Sequence, residues 1–343
     1  MAYVFGDGFD PYSTGADAFA GYWDSGSIGS GSLVAGRFAG SQAVNFPNTT
    51  VSFVKSSGQN DAVHHIVCAY RQTAVLSGAT LGLYFQLTDV AANQVCIVFR
   101  QDGAILLTSA TPGGTVLATY SGAVTAANTW FAFEFEVVIN NTTGSFKVRK
   151  NGSTTDDHST TGINTRPGAN AYANKLTMSM NVAVNAQQVD DLFWQSGSVS
   201  GTFFGDIRCY TRMPASDAAA VFSRSTGATN FSCVDETLQN GATDYVFSAN
   251  VNDADFYTIA PIAVTPISVV AVTTRGFLQK SDAGTRGAQV QLKSGAVTVG
   301  STPTLLSSSF GWMWRTDTLN PATGLAWAAA EVNNIQCGPK VTS

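Results

Sequence analysis

Between Val63 and Lys150 large apolar residues alternate with smaller or polar ones at a period of two. The runs are Val63 to Arg71, Leu81 to Thr88, Gln94 to Gln101, Thr129 to Asn140 and Gly144 to Lys150. A period of two puts every second side chain on one face, so each run reads as a β-strand with one face buried. Turn chemistry separates the runs: Gln101-Asp102-Gly103, Asn140-Asn141-Thr142-Thr143-Gly144 and Asn151-Gly152-Ser153. Many short strands joined in this way predict an all-β sandwich or barrel.

A chain of 343 residues is long for one sandwich and is expected to hold about two domains. The strand pattern loosens from about Arg212 through Pro214-Ala215-Ser216-Asp217 and Ser223-Arg224-Ser225-Thr226-Gly227-Ala228, then resumes near Thr243. This predicts a sandwich over 1–213, an extended connection over 214–242 and a smaller β-rich domain over 243–343. In the last part, strands are expected at Ile267 to Arg275, Ala288 to Lys293, Ala296 to Gly300 and Thr304 to Arg315. One short helix is expected between Thr323 as N-cap and Gly338 as the residue after its end.

Charged residues make up only 12 % of the chain, and Gly, Ser, Thr, Ala and Asn are abundant, so the expected surface is neutral and hydroxyl-rich. The net charge of −5 and the scatter of the 18 basic residues argue against nucleic acid as a partner. No apolar run reaches the ~18 residues of a membrane helix, and Met1 to Asp7 lacks the charged start and apolar stretch of a secretory leader. Membrane insertion is therefore not expected. The five cysteines, Cys68, Cys96, Cys209, Cys233 and Cys337, are widely spaced and form no Cys-x-x-Cys pair. They read as reduced, buried apolar residues, with one or two disulfides and a leftover thiol as the other option. His64 and His65 are adjacent, so on a strand they face opposite sides and do not chelate together. No metal and no cofactor is expected. Asn-x-Ser/Thr triplets at Asn48, Asn140, Asn141, Asn151 and Asn230 read as turn and strand-edge positions.

The run Trp130 to Val137, the turn Asn141 to Gly144, and Ser145 to Gly152 together resemble the central hairpin of laminin-G/concanavalin A-like domains. Val189-Asp190-Asp191-Leu192-Phe193-Trp194 is similar to a late strand of the same family. The implied fold is a jelly-roll sandwich. Several further segments resemble a layout of phage virion proteins: Asp7-Gly8-Phe9-Asp10-Pro11-Tyr12, Phe204 to Tyr210, Val234-Asp235-Glu236, Thr243 to Val246, and Asn320 to Trp327. That resemblance implies a tail, neck or head-decoration component in the virion, assembled in the host cytoplasm. Its partners would be other virion proteins and further copies of itself.

Three constellations are candidates for chemistry. Glu134 and Glu136, at i and i+2, share a strand face, and a carboxylate pair can hydrolyse glycosides. Jelly-roll glucanases resemble a Glu-x-Asp-x-Glu strand, and the third acid is missing here, so the pair is expected on a solvated outer face and no catalytic residue is assigned. Asp190 and Asp191 invite a cation, but adjacent strand residues point opposite ways. Tyr22, Trp23, Trp194, Trp312 and Trp314 raise sugar stacking, and Trp23, Trp312 and Trp314 are the candidate glycan-binding residues. The expected function is a non-enzymatic virion structural protein. The alternatives are a carbohydrate-binding module for host-surface glycan and, behind it, a depolymerase using Glu134 and Glu136.

Overall fold

A computed structural model describes residues 3–47, 49–182, 185–241 and 243–343; Asn48 lies outside the described residues. The chain divides into two compact units: the first spans residues 1–10, 14–19 and 23–209, the second 11–13, 20–22 and 210–343.

The first unit is a sandwich of two antiparallel sheets. One runs in the order His158–Ile163, Gly144–Lys150, Phe131–Val138, Val63–Gln72, Gln187–Ser196, Gln42–Phe46 and Ser32–Ala35, with Tyr3–Asp7 also paired to Gln187–Ser196. The other runs Val116–Tyr120, Ile105–Ser109, Asn93–Arg100, Leu81–Thr88, Ala173–Met180, Ser52–Asp61 and Ser25–Ser27. Ser52–Asp61 and Val63–Gln72 follow each other in sequence yet lie in opposite sheets, as do Ala173–Met180 and Gln187–Ser196. Such crossings make this a concanavalin-type jelly roll. The alternating runs read from the sequence match five of these strands to within two residues at either end.

Alternation also places the core. Tyr70, Phe133 and Phe135 project inward from the first sheet and meet Phe99 of the second, with Tyr70 stacked on Phe99 at 3.9 Å between centroids. A second aromatic knot surrounds Phe53, which meets Phe9, Phe19, Trp23 and Phe46. Asp7 organises that knot: one carboxylate oxygen accepts from the Trp23 indole N–H at 2.8 Å, the other from the Phe9 backbone N–H at 3.0 Å. The central hairpin follows its turn chemistry. Asn140 Oδ1 accepts from the backbone of Thr142 and Thr143, and Asn151 sits at φ 53°, a left-handed conformation that Asn tolerates. All five cysteines are free, and burial pushes the Cys68 and Cys96 thiols well up.

The second unit is β-rich as expected, but its organisation differs. The stretch expected as a connection holds two short strands of this unit. Pro214–Ala219 pairs with Phe256–Ile259, Ser223–Arg224 pairs with Val246–Phe247, and the division from the first unit falls at Tyr210. Asp255 explains why this loop-like composition is ordered: buried, it accepts from the backbone of Val221 and Phe222, from Asn230 and from the Tyr257 hydroxyl. The expected helix shrinks to Ala329–Val332, and Gln336–Val341 is a strand paired with Gly287–Ser294. Local helix propensity loses here to ladder pairing and to a core in which Trp327, Val332 and Ile335 pack with Ile259 and Leu292.

Because Phe99 touches three aromatic rings of the facing sheet, Phe99→Ala should lower the unfolding free energy by about 3–5 kcal/mol. Urea denaturation checks this; a loss below about 1 kcal/mol would contradict a core centred on Phe99.

Candidate functional site

The outer face of the sheet that contains Phe131–Val138 carries the two acidic pairs singled out for chemistry. Inward-facing Phe133 and Phe135 leave Glu134 and Glu136 on that outer side, yet both are buried, at 2 % and 0 % exposed, not solvated. The reason lies some 65 residues further along the chain. The segment 198–209 runs over the face and its donors reach the two acids. Glu134 accepts from the backbone N–H of Phe204 at 2.5 Å and of Gly205 at 2.9 Å. Glu136 accepts from the Ser200 hydroxyl at 2.9 Å, from the Gly201 backbone N–H, and from Lys147 Nζ at 3.1 Å. All four carboxylate oxygens are thus engaged by the chain itself. Burial pushes the Glu134 carboxyl up, against the two N–H groups and Arg149 that pull it down.

Rings complete the cover. Phe203 and Phe204 both pack edge-on to His65, Phe204 meets Phe193, and the Arg149 guanidinium lies 3.6 Å over Phe203. His65 Nε2 lies 3.6 Å from Glu136, but burial lowers the imidazole to about 4, so at neutral pH the contact is dipolar and not an ion pair. His64 faces the other way, as alternation requires, and accepts from the Trp194 indole. His65 is thus the histidine beside these acids, neutral and just beyond hydrogen-bond distance of Glu136.

Asp190 and Asp191 depart from simple alternation. Asp190 pairs with Ala69 and Phe193 with Val67, so Asp191 and Leu192 together oppose Cys68. Asp191 takes φ 50° in this bulge. Both acids consequently meet Arg37: its backbone N–H donates to Asp190 at 2.7 Å, and its guanidinium lies 3.9 Å from Asp191. Asp190 also accepts from Ser41 and from the Asp191 N–H, while Asp191 accepts from the backbone of Cys209, the far end of the covering segment. Burial, then the neighbouring Asp190, pushes the Asp191 carboxyl up to about 8. Among the described residues no three His, Cys, Asp or Glu side chains gather as a metal site.

The aromatic candidates separate. Trp23 is fully buried and spends its N–H on Asp7, so it presents no ring to a ligand; Trp194 is buried likewise. Trp312 and Trp314 share one face of the Val272–Leu278/Gly311–Asp317 ribbon and are half-buried. Tyr12 and Tyr22 pack edge-on against them, and Phe277 lies 4.7 Å from Trp312.

The face also holds a group of residues that period-two reading alone does not single out. Ser32 pairs with Asn45, Asn45 with Gln188, and Gln188 with Arg71, forming one register line across four strands. Trp130, the residue before the Phe131–Val138 strand, extends the line: the Arg71 guanidinium lies 4.7 Å over its ring. Arg71 Nε donates to Gln188 Oε1 at 2.5 Å, and Gln188 Nε2 donates to Asn45 Oδ1 at 3.3 Å. Asn45, Arg71 and Trp130 are half-buried, Ser32 is exposed, and Gln188 is buried. An indole, a guanidinium, the Asn45 carboxamide and a hydroxyl in a line, tied together by buried Gln188, can stack on the apolar face of a sugar and hydrogen-bond its hydroxyls. Trp130 was legible as a hairpin marker, but the line needs strand register, which links positions more than 100 residues apart.

No family model matches the sequence, and no curated protein matches it. Solved structures that resemble it include the metal-free carbohydrate recognition domain of Emp46p (8 % identity, 46 % of this chain and 83 % of that one, TM-score 0.33). The VIP36 exoplasmic/lumenal domain bound to Ca2+ and Man3GlcNAc gives 9 % identity over 50 % and 83 %, TM-score 0.35. Peanut lectin gives 9 % over 58 % and 99 %, TM-score 0.36. An alginate lyase, AlgAT5, is also similar, at 13 % over 45 % and 78 %, TM-score 0.29. At these identities and scores they place no residue and assign no activity.

Two outcomes follow. Glu134→Ala strands two half-buried backbone donors and should cost about 1–3 kcal/mol, with faster hydrogen exchange at the Phe204 and Gly205 amides; unchanged exchange there would contradict the anchoring role. An acid whose folded pKa lies above its unfolded value binds its proton more tightly when folded. The Asp191 contribution is therefore present below about pH 4 and is lost as pH rises to about 8. Asp191→Asn, which keeps an acceptor for Cys209, should flatten the fall in stability over that window, measured by urea midpoints; an unchanged slope would rule this out.

Proposed function

We propose that this chain is a non-catalytic carbohydrate-binding module whose contact surface is the line Ser32, Asn45, Gln188, Arg71 and Trp130. The carrying observation is that line itself: an aromatic ring and four polar side chains in register on one face of a sandwich. Beside it, Glu134 and Glu136 have every carboxylate oxygen engaged by backbone, hydroxyl or ammonium donors of the same chain. An acid that must protonate a leaving group, and a base that must activate water, both need oxygens free to meet substrate. The depolymerase reading loses its support on that ground.

The setting on a phage particle, with other virion proteins and further copies of the chain as partners, rests on the sequence resemblance alone; none of the neighbours named above is a virion component. A particle-bound attachment module and a free one would use the same contact surface.

Glycan-array screening followed by calorimetry tests the reading. Trp130→Ala should weaken binding about tenfold or more, Trp314→Ala should leave it unchanged, and the bound oligosaccharide should be recovered uncut. Binding lost with Trp314→Ala and retained with Trp130→Ala would move the site to the ribbon; release of shortened products would reverse the non-catalytic assignment.

A further inference from the structure

We propose that the line selects carboxylate-bearing glycans, with the Arg71 guanidinium receiving the sugar carboxylate while Trp130 supports its ring; this rests on the carbohydrate-binding reading above. The case begins with ion pairing. Arg37, Arg100, Arg149, Arg286 and Arg315 each lie within 4.0 Å of an aspartate. Arg71 has no carboxylate partner among the described residues, although it sits half-buried in a chain of net charge −5. Its side-chain contacts are with neutral groups, the Gln188 carbonyl oxygen at 2.5 Å and the Trp130 ring at 4.7 Å. Burial lowers its pKa with no neighbouring charge to restore it, the mark of a cation that has lost water without gaining a counter-ion.

Those two contacts also fix its geometry. Gln188 takes Nε, so the donor capacity left on the guanidinium is on its two terminal nitrogens, which form the fork that matches a carboxylate through two parallel hydrogen bonds. Gln188 is itself held, because its own NH2 donates to Asn45 at 3.3 Å. That leaves the Asn45 NH2 and the Ser32 hydroxyl as the line's remaining groups for sugar hydroxyls. Asp190, two residues from Gln188 on the same strand, does not compete: it spends its oxygens on the Arg37 and Asp191 backbone and on Ser41.

The test pairs an oligogalacturonate with the same oligosaccharide after its carboxyl groups have been reduced to alcohols, titrated calorimetrically into the full chain. The unreduced oligosaccharide should bind about tenfold tighter or more. Arg71→Gln, which preserves a hydrogen-bonding side chain toward Gln188, should erase that difference. Arg71→Lys should recover only part of it, because an ammonium has no fork. Equal affinity of the intact protein for the two oligosaccharides overturns the proposal while leaving the carbohydrate-binding reading in place, and it needs no variant to fold. A preference that survives Arg71→Gln overturns it as well. Failure of the chain to bind any member of a broad glycan array overturns both.

Discussion

Three carboxylates on one sheet face govern how the rest of that face is used. Glu134, Glu136 and Asp191 accept backbone N–H groups from Phe204, Gly205, Gly201 and Cys209, and so hold a twelve-residue segment, 198–209, against the outer side of the sandwich. A buried carboxylate without donors is costly, and a loop with unpaired N–H groups is costly too; each satisfies the other. The segment in turn brings Phe203 and Phe204 over His65 and Phe193, so the acids end inside a second, smaller apolar layer. Chemistry that looks available on a strand diagram is spent on closing the fold.

That division leaves the other part of the face to residues with a different character. Trp130, Arg71 and Asn45 are half-buried, Ser32 is exposed and Gln188 is buried; among the described residues their side chains bond to each other and not to the covering segment. Their order is set by strand register, which is fixed by the aromatic core beneath: Tyr70, next to Arg71, stacks on Phe99, and Phe131, next to Trp130, pairs with Tyr70. A slip by one residue would turn Arg71 and Gln188 into the core. The proposed contact surface is therefore as well specified as the hydrophobic packing that underlies it.

The period-two alternation carried most of the first unit: the strands around Phe99 and the Asn140 and Asn151 turns are written locally in the sequence. What it could not carry is what covers a strand's outer face. Glu134 and Glu136 read as solvated because their partners arrive from Ser200 to Gly205, and no local pattern announces such a return. Asp190 and Asp191 read as pointing apart because a bulge breaks the alternation at that one position. Trp23, open in the sequence to either a stacking or a core role, lies in the core, and its partner Asp7 belongs to an opening segment noted only for its resemblance. In the second unit, Gln336–Val341 carries a proline and two small residues, and pairing with Gly287–Ser294 on one side and Phe256–Ile259 on the other makes it a strand.

The proposed function separates acids that close the fold from a line of residues that would meet a ligand. Hydrogen-exchange mapping of the whole chain, with and without a saturating bound oligosaccharide, tests it most directly. New protection confined to the backbone around Trp130, Arg71 and Gln188, with no change across residues 198–209, is the predicted result. Protection or release concentrated on 198–209 and the Glu134–Glu136 strand, with the Trp130 end unaffected, would contradict it.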